Sequence, residues 1–423
     1  MTIIASPDGG EMSGRNLLIL LCVVSLAPQA ASFLHAGAAA ARSGLPQASP
    51  ESIGLRSAQL RLIDDAVAEA IRGRETPGAV VLVARRGRIG YCKAFGHRSL
   101  QPQSEPMTTD TIFDMASLTK VVATAPAIML LAQNGRLRIG DRVKRYLPLF
   151  AGGGKDEITV RQLLTHFSGL PADFDLSKPW EGRAAALEEL WSIPTQTLPG
   201  REFLYSDLNF IALAEIVTAL SGRSLDVFAK QEIFEPLGMT ETTFNPPADW
   251  RGRIAPTESR DRSLRYLKGS ASDQALQMLR GEVHDPTAWR MGGVAGHAGL
   301  FSSARDVAMY AQMLLDRGSA RGRFLLSPQT VAAMTGPQSP PGAFQLRGFG
   351  WDIQTGYSAP GGDLLAGGYG HTGFTGTSLW IHPPTGTFVV ILTNRVHPDG
   401  KGDVTHLRGA IANIVAASIA ESR

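Results

Sequence analysis

Apolar residues recur along the chain with two periods. Ser57 caps a stretch in which Leu60, Ile63, Val67 and Ile71 fall on one stripe, which predicts an amphipathic helix ending near Gly73. Ala79–Ala84 (AVVLVA), a turn at Arg85-Arg86-Gly87-Arg88 and the segment Ile89–Phe95 predict a β-hairpin. A second hairpin is predicted near the other end. It runs from Thr377–His382 (TSLWIH) through Pro383-Pro384-Thr385-Gly386 to Thr387–Thr393 (TFVVILT), and a last helix spans about Val404 to Ser418. Between Ser117 and about Met334 the pattern is mostly helical, broken by connections at 152–154, 245–249 and 337–341, with a further one at 358–368. The economical architecture is α/β (α+β): one antiparallel sheet from 56–116 and 345–423, flanked by helices, with a helical region at about 117–340 inserted between the halves.

The first forty residues follow another pattern. Asn16–Leu26 is almost unbroken apolar sequence, the length of a signal h-region and too short to span a bilayer comfortably. Small residues follow at Ala27, Ala30 and Ala31 and again at Ala36, Ala38 and Ala40, so either cluster can hold a cleavage site. A start at Met12 would give a cleaner leader than Met1, because Asp8 and Glu11 precede Arg15. The expectation is a leader over 1–40, a Pro/Ser-rich lead-in over 41–55 and one domain over 56–423, periplasmic or secreted. An uncleaved anchor or a wrongly assigned start remains the alternative. Past the leader no apolar run approaches the ~20 residues of a spanning helix. Cys22 and Cys92 are the only cysteines, so removal of the leader leaves Cys92 alone. Stability must then come from packing, and a zinc site with four thiolate ligands is excluded.

Composition changes this picture little. The 423 residues are 43% hydrophobic and 19% charged, enough apolar surface for a large core. Lys and Arg number 41 against 38 Asp and Glu, a net charge of +3. That excess is thin despite a pI near 8.9, and no basic block accompanies it, which argues against a nucleic-acid partner.

Several motifs fail on context. Gly368-Tyr-Gly370-His-Thr-Gly373 matches a dinucleotide fingerprint by letters, but a strand pattern follows it where a helix is required. Gly152-Gly-Gly-Lys155 lacks the spacing of a phosphate-binding loop, and neither H-E-x-x-H nor G-x-S-x-G occurs. No spacing points to a metal or another cofactor.

Three segments carry chemistry. Ser117-Leu-Thr-Lys120 opens a run that is apolar on every side, from Val121 to Leu131, so the helix should be buried, with a kink expected at Pro126. Residues three apart share a helix face, which brings Lys120 to Ser117. A lysine in a dry site has a lowered pKa and can take the serine proton. A capping serine followed by a solvated lysine would give the same four letters. Tyr205-Ser-Asp207 precedes a helix with Ile211, Leu213, Ile216, Val217 and Leu220, so the Tyr205 hydroxyl can be aimed, although a tyrosine packing its ring fits as well. His371-Thr372-Gly373 stands before the C-terminal hairpin, where glycine allows close backbone approach and an N–H can face an oxyanion; a plain turn is the alternative. His166, His284 and His297 are left over. For His297, in Gly296-His-Ala-Gly299, a bracing hydrogen bond is favoured over a ligand or gating role.

Taken in order, S-x-x-K, Tyr-x-Asn/Asp and Lys/His-Thr-Gly make the chain resemble the serine β-lactamase and penicillin-binding-protein group, in the class C-related branch with family VIII esterases and D-Ala-D-Ala carboxypeptidases. Leu163–Leu170, Glu235–Met239 and Gly292–Ser302 resemble that branch too, so the likeness runs from about Ser52 to the C-terminus. It implies a β-lactamase/transpeptidase-like fold, without a metal or cofactor, and acyl-enzyme chemistry. In it Ser117 attacks a carbonyl, Lys120 and Tyr205 shuttle protons, and the N–H groups of Ser117 and Phe374 hold the oxyanion; Asp207, His371, Thr372 and Gly373 contact substrate. Two departures bear on the substrate. His371 stands where β-lactamases of the group carry lysine and is charged only below ~6.5, and Asp207 replaces the usual Asn. Both disfavour a carboxylate-bearing β-lactam. The expected substrate is a small-molecule ester, an amide or a peptidoglycan peptide. The alternatives are a cell-wall-peptide or penicillin binder without efficient turnover, and a weak β-lactamase.

Overall fold

The computed structural model describes residues 44–260, 277–354 and 361–420. The expected leader with Cys22, the first residues of the lead-in, residues 261–276 and the start of the 358–368 connection lie outside the described residues.

The first hairpin joins β1 (Gly78–Arg85) to β2 (Arg88–Ser99), with the short β3 (Glu105–Pro106) beside β2. A small second sheet combines β4 (Ile112–Asp114), β5 (Thr243–Phe244) and β6 (Leu300–Ser303), and β7 (Ser319–Ala320) pairs with β8 (Arg323–Phe324). Then follow β9 (Leu346–Arg347), β10 (Asp352–Gln354), β11 (Tyr369–Thr372), β12 (Ser378–His382) and β13 (Thr387–Thr393). The main sheet has the order β3-β2-β1-β13-β12-β11-β10-β9 and every pairing in it is antiparallel. The strand nearest the N-terminus and the last strand are therefore neighbours at its centre, with Val80 opposite Leu392 and Leu82 opposite Val390.

The unbroken apolar character of β1 has a direct cause. Successive side chains point to opposite faces, and both faces are covered. Ala79, Val81 and Val83 pack with Ile63 and Val67 of the helix Leu62–Arg72 and with Leu407, Ile411 and Val415 of the helix Thr405–Ser418. Val80, Leu82 and Ala84 face the larger core, where the helices Ala125–Gln133, Asp207–Ser221 and Ala304–Leu315 gather. The result is helix, sheet and helix in three layers. Ser57–Leu60 forms a separate turn ahead of the first long helix. The Gly368–Gly373 segment enters a strand, as its failed dinucleotide context required. Among the described residues no helix is long and apolar enough to cross a membrane.

The helix after Ser117 departs from regular geometry where proline predicted it. Residues Lys120–Thr124 form a π-helical turn, in which the Ala125 N–H donates to the Lys120 carbonyl. In that register the carbonyl of Val121 faces Pro126, which has no N–H to give. The buried Tyr310 supplies the missing donor, its hydroxyl 2.6 Å from the Val121 oxygen. A wide turn thus replaces the simple kink and is braced from a distant helix.

Tyr310→Phe should cost about 1–3 kcal/mol by leaving that carbonyl without a donor. Pro126→Ala restores an N–H, so the double variant should lose less than the sum of the singles. Chemical denaturation of the four proteins measures this, and strict additivity would refute the account.

Candidate active site

Ser117 is placed by strain and by two buried carbonyl clamps. β4 ends at Asp114, and Ala116 then adopts φ +46°, a conformation that non-glycine residues rarely take. The Asp114 carboxylate holds it there by accepting the Ala116 N–H at 2.8 Å and the His284 N–H at 2.7 Å. The sharp bend lifts Ser117 out of the strand, and the helix proper begins one residue later than the sequence suggested. The turn after β11 is fastened to the same segment. Thr375 Oγ1 donates to the Asp114 carbonyl at 2.7 Å and Thr377 Oγ1 to the Met115 carbonyl at 3.0 Å. On the other side Arg408 Nη2 donates to the carbonyls of Gly373 at 3.0 Å and Thr377 at 3.1 Å. A Cβ on Gly373 would lie 2.6 Å from the Met115 carbonyl oxygen, so the close approach glycine permits here is to the chain's own backbone. These clamps hold the turn that carries Phe374 against the segment that carries Ser117, and both residues line the same cleft.

Lys120 is fully buried and reaches three acceptors. Its Nζ lies 2.9 Å from Ser117 Oγ, 2.7 Å from Asp207 Oδ1 and 3.2 Å from the His297 carbonyl, and 4.9 Å from the centre of the Tyr205 ring. The sequence thus brings Ser117, Lys120, Tyr205 and Asp207 into one place from segments about ninety residues apart. It misjudged the lysine's protonation. Burial does pull the ammonium pKa down, but the Asp207 carboxylate and Tyr205 outweigh it and hold the pKa above the ordinary lysine value. Lys120 is therefore a fixed cation in the resting site rather than a ready base.

His371 departs further from a lysine than its ordinary pKa implies. It is buried, and burial together with the positive fields of Arg347 and Lys120 keeps its pKa well below the ordinary histidine value, so it is neutral. Nδ1 lies 2.8 Å from the Thr372 carbonyl and so carries the proton, leaving Nε2 as a lone-pair acceptor without a partner. It cannot replace a lysine as an anion-binding cation.

Sequence reasoning passed over His166, which fixes Tyr205. Its ring stacks on the tyrosine at 4.3 Å between centroids, and Nδ1 accepts the Ser206 N–H at 3.1 Å. Burial first, then Arg347 and Lys120, keep it neutral as well. Its signal was only φ +62° at a helix end, which no pattern of residue types discloses. His297 braces its loop as favoured: Nε2 lies 2.8 Å from Asp285 Oδ1. Burial opposes charge on both, yet each stabilises the other's charged form; Asp285 is held well below the usual carboxylate range and His297 is raised. Asp207, Asp285 and His297 bring ligand atoms within 4.8 Å of one another, but Lys120 and the His297–Asp285 bond already engage them.

The cleft has two limbs that share Ser117, Tyr205 and Phe374. One is a cavity of about 530 Å³ with Asp173, Asp175, Asp207 and Asp285 on its wall beside Phe174 and Leu176. Asp173 accepts from Thr287 Oγ1 at 2.9 Å, and burial, followed by the charges of Asp285 and Asp207, pushes it up to about 7. The other, of about 520 Å³, is lined by His371, Thr372, Gly373, Arg395, Lys401 and Arg408.

The comparisons agree with this geometry. The Beta-lactamase family model matches residues 63–413. The chain is 34% identical to "N-acetylmuramyl-L-alanine amidase" of Bacillus subtilis (strain 168), over 82% of this chain and 85% of that one. It is 32% identical to a Salmonella schwarzengrund (strain CVM19633) protein with the provisional name D-alanyl-D-alanine carboxypeptidase, over 84% and 86%. A penicillin-binding protein homologue from Caulobacter crescentus superposes with a TM-score of 0.67 at 21% identity, covering 86% of this chain and 99% of that one.

Asp207→Asn keeps the shape and removes the anion, so the Lys120 pKa should fall. The Cε chemical shift of Lys120 followed against pH reads this directly, and an unmoved titration would refute the pairing. Asp173 keeps its proton in the fold between pH ~4 and ~7 while the unfolded chain loses it, so it costs stability as pH rises through that window. Asp173→Asn should flatten the decline and gain on the order of 1–2 kcal/mol at pH 7, by denaturation at pH 4.5 and 7.

Proposed function

The chain belongs to the beta-lactamase family, a family of serine hydrolases, and we propose that it hydrolyses an amide bond in peptidoglycan-derived peptides or muropeptides through an acyl-enzyme on Ser117. The observation that carries this reading is the fixed cation: Lys120 Nζ lies 2.9 Å from Ser117 Oγ and 4.9 Å from the centre of the Tyr205 ring, with Ser117 and Tyr205 lining the cleft. The relatives of more than 30% identity described above are named for cell-wall amide bonds, which favours an amide over a simple ester. The apolar leader supports export to the compartment where such substrates lie.

In this mechanism Tyr205 acts as the phenolate, its charge balanced by the Lys120 ammonium: Ser117 Oγ bonds to the carbonyl carbon and its proton passes to the Tyr205 phenolate oxygen. The Lys120 ammonium beside both oxygens stabilises the negative charge as it moves. The backbone N–H groups of Ser117 and Phe374 receive the oxyanion. The carbon–nitrogen bond breaks, and the departing amine takes the proton from Tyr205. Water then gives a proton to Tyr205 and attacks the ester, and Ser117 recovers the proton as the acid leaves. His166 holds the tyrosine ring in position throughout.

A neutral His371 lacks the charge that would seize a β-lactam carboxylate, which supports peptidase or amidase action over efficient β-lactamase action. Purified protein incubated with muropeptides and D-Ala-D-Ala peptides should release amine. Intact-mass spectrometry should show a transient Ser117 adduct, and Ser117→Ala should lower the rate by a factor of about 10³ or more. Turnover that persists in Ser117→Ala, or a stable adduct without release, would overturn this reading.

A further inference from the structure

The carboxyl groups on the wall of the first limb are already engaged. Asp207 meets the Lys120 ammonium at 2.7 Å, and Asp285 Oδ1 lies 2.8 Å from His297 Nε2. Asp173 accepts the Thr287 hydroxyl at 2.9 Å and the Phe174 N–H at 2.8 Å, and Asp175 accepts the Ser177 N–H at 3.0 Å. His284 lines the same cavity and takes no part in the mechanism above. Its Nε2 lies 2.8 Å from Oε1 of the fully buried Glu258. We propose that His284 is a further catalytic residue that holds the hydrolytic water through Nδ1, and that Glu258 is the positioning residue that fixes its tautomer. The inference rests on the hydrolase reading above and adds to it the group that governs deacylation.

His284 is tied to the catalytic bend by its backbone. Its N–H donates to Asp114 Oδ2 at 2.7 Å, while Oδ1 of the same carboxylate accepts the Ala116 N–H at 2.8 Å. One side chain thus fixes His284 and the residue before Ser117 together. Arg260 grips the same stretch, donating to the His284 carbonyl at 3.3 Å and to the Val283 carbonyl at 2.7 Å. The imidazole stacks on the Phe374 ring, 5.6 Å between centroids and 22° between planes. It therefore touches the turn after β11 while its backbone is held to the segment of Ser117. Glu258 is braced as well. The Leu279 N–H donates to its carbonyl at 3.1 Å, and the carbonyl of Thr257 lies 2.8 Å from His397 Nδ1.

A carboxylate only accepts hydrogen bonds, so the contact with Glu258 places the imidazole proton on Nε2 and leaves Nδ1 with its lone pair. Among the described residues none donates to that nitrogen. The side chain keeps 7% of its surface exposed, on the cavity it lines. A water that attacks the acyl-enzyme has two protons to place. Tyr205 receives one as the water oxygen bonds to the ester carbon, and that proton passes to Ser117 Oγ as the carbon–Oγ bond breaks. The other stays on the water oxygen and leaves within the product acid. His284 Nδ1 accepts it in a hydrogen bond without removing it. With both O–H bonds directed, a lone pair of the water faces the carbonyl carbon. Acylation consumes no water and does not need this contact.

The test uses the full chain and p-nitrophenyl acetate. Release of p-nitrophenolate reads acylation, and quench-flow with intact-mass spectrometry follows the decay of the acetyl-enzyme on Ser117. His284→Ala should slow deacylation about tenfold or more beyond any effect on acylation, so that acetyl-enzyme accumulates. His284→Asn sets an amide oxygen near the place of Nδ1 and should restore part of that rate. Glu258→Gln can donate to Nε2, which favours the other tautomer, and should also slow deacylation selectively. A purely structural role would depress both steps together and would not distinguish Asn from Ala. The ¹⁵N chemical shifts of His284 in the wild type should show a protonated Nε2 and a bare Nδ1, a measurement that needs no variant to fold. Equal loss in both steps, no loss in either, Asn no better than Ala, normal deacylation in Glu258→Gln, or a proton on Nδ1 would overturn this inference alone. Absence of Ser117-dependent turnover of both this ester and the muropeptides would overturn the hydrolase reading, and this one with it.

Discussion

The site is organised around one ammonium that has no water. A cation with no exposed surface must be paid for by charges and dipoles fixed in advance, and Lys120 has a carboxylate, a hydroxyl and a carbonyl within 3.2 Å. Each acceptor comes from a different part of the chain: Asp207 from the start of its helix, Ser117 from the bend after β4, His297 from the loop before β6. Folding therefore cannot bury the lysine without also assembling the site. The same cation spreads further, since it helps keep His166 and His371 neutral and adds to the field that holds Asp285 ionised.

A second constraint is rigidity between chain segments. The segments that carry Ser117 and Phe374 are joined by hydroxyl-to-carbonyl bonds from Thr375 and Thr377, and Arg408 clamps the outer side. Such bonds do no chemistry, yet they set donor positions to within the tolerance that charge stabilisation demands. The π-helical turn plays a comparable part under Lys120, because widening the helix by one residue changes the direction in which the lysine leaves it.

Much of this was legible in the residues. Both terminal hairpins, the long helices and the positions of Ser117, Lys120, Tyr205 and the His371 turn follow from periodicity, turn chemistry and motif order. The strands are apolar at every position because both sheet faces are covered, which periodicity alone does not distinguish from a buried helix. What escaped was electrostatic or long-range. The sequence shows Lys120 entering a dry helix but not that Asp207 meets it, so the direction of its pKa came out reversed. It shows a histidine at 371 but not the burial that neutralises it. Asp173 and His166 matter only through neighbours distant in the chain, and no local spacing marks them.

The placement of β1 beside β13 reaches beyond the finished molecule. The sheet's middle joins residues about 300 positions apart, whereas its other pairings link strands consecutive in the chain, so the sheet closes only through this one long-range seam. While the polypeptide is still being made, β1 must wait with an apolar edge unpaired, and the turn bearing Phe374 is not yet present. A product cut short by its last fifty residues would lack the turn that carries Phe374 and the strand β13 that covers the edge of β1, and would thus be both sticky and inert.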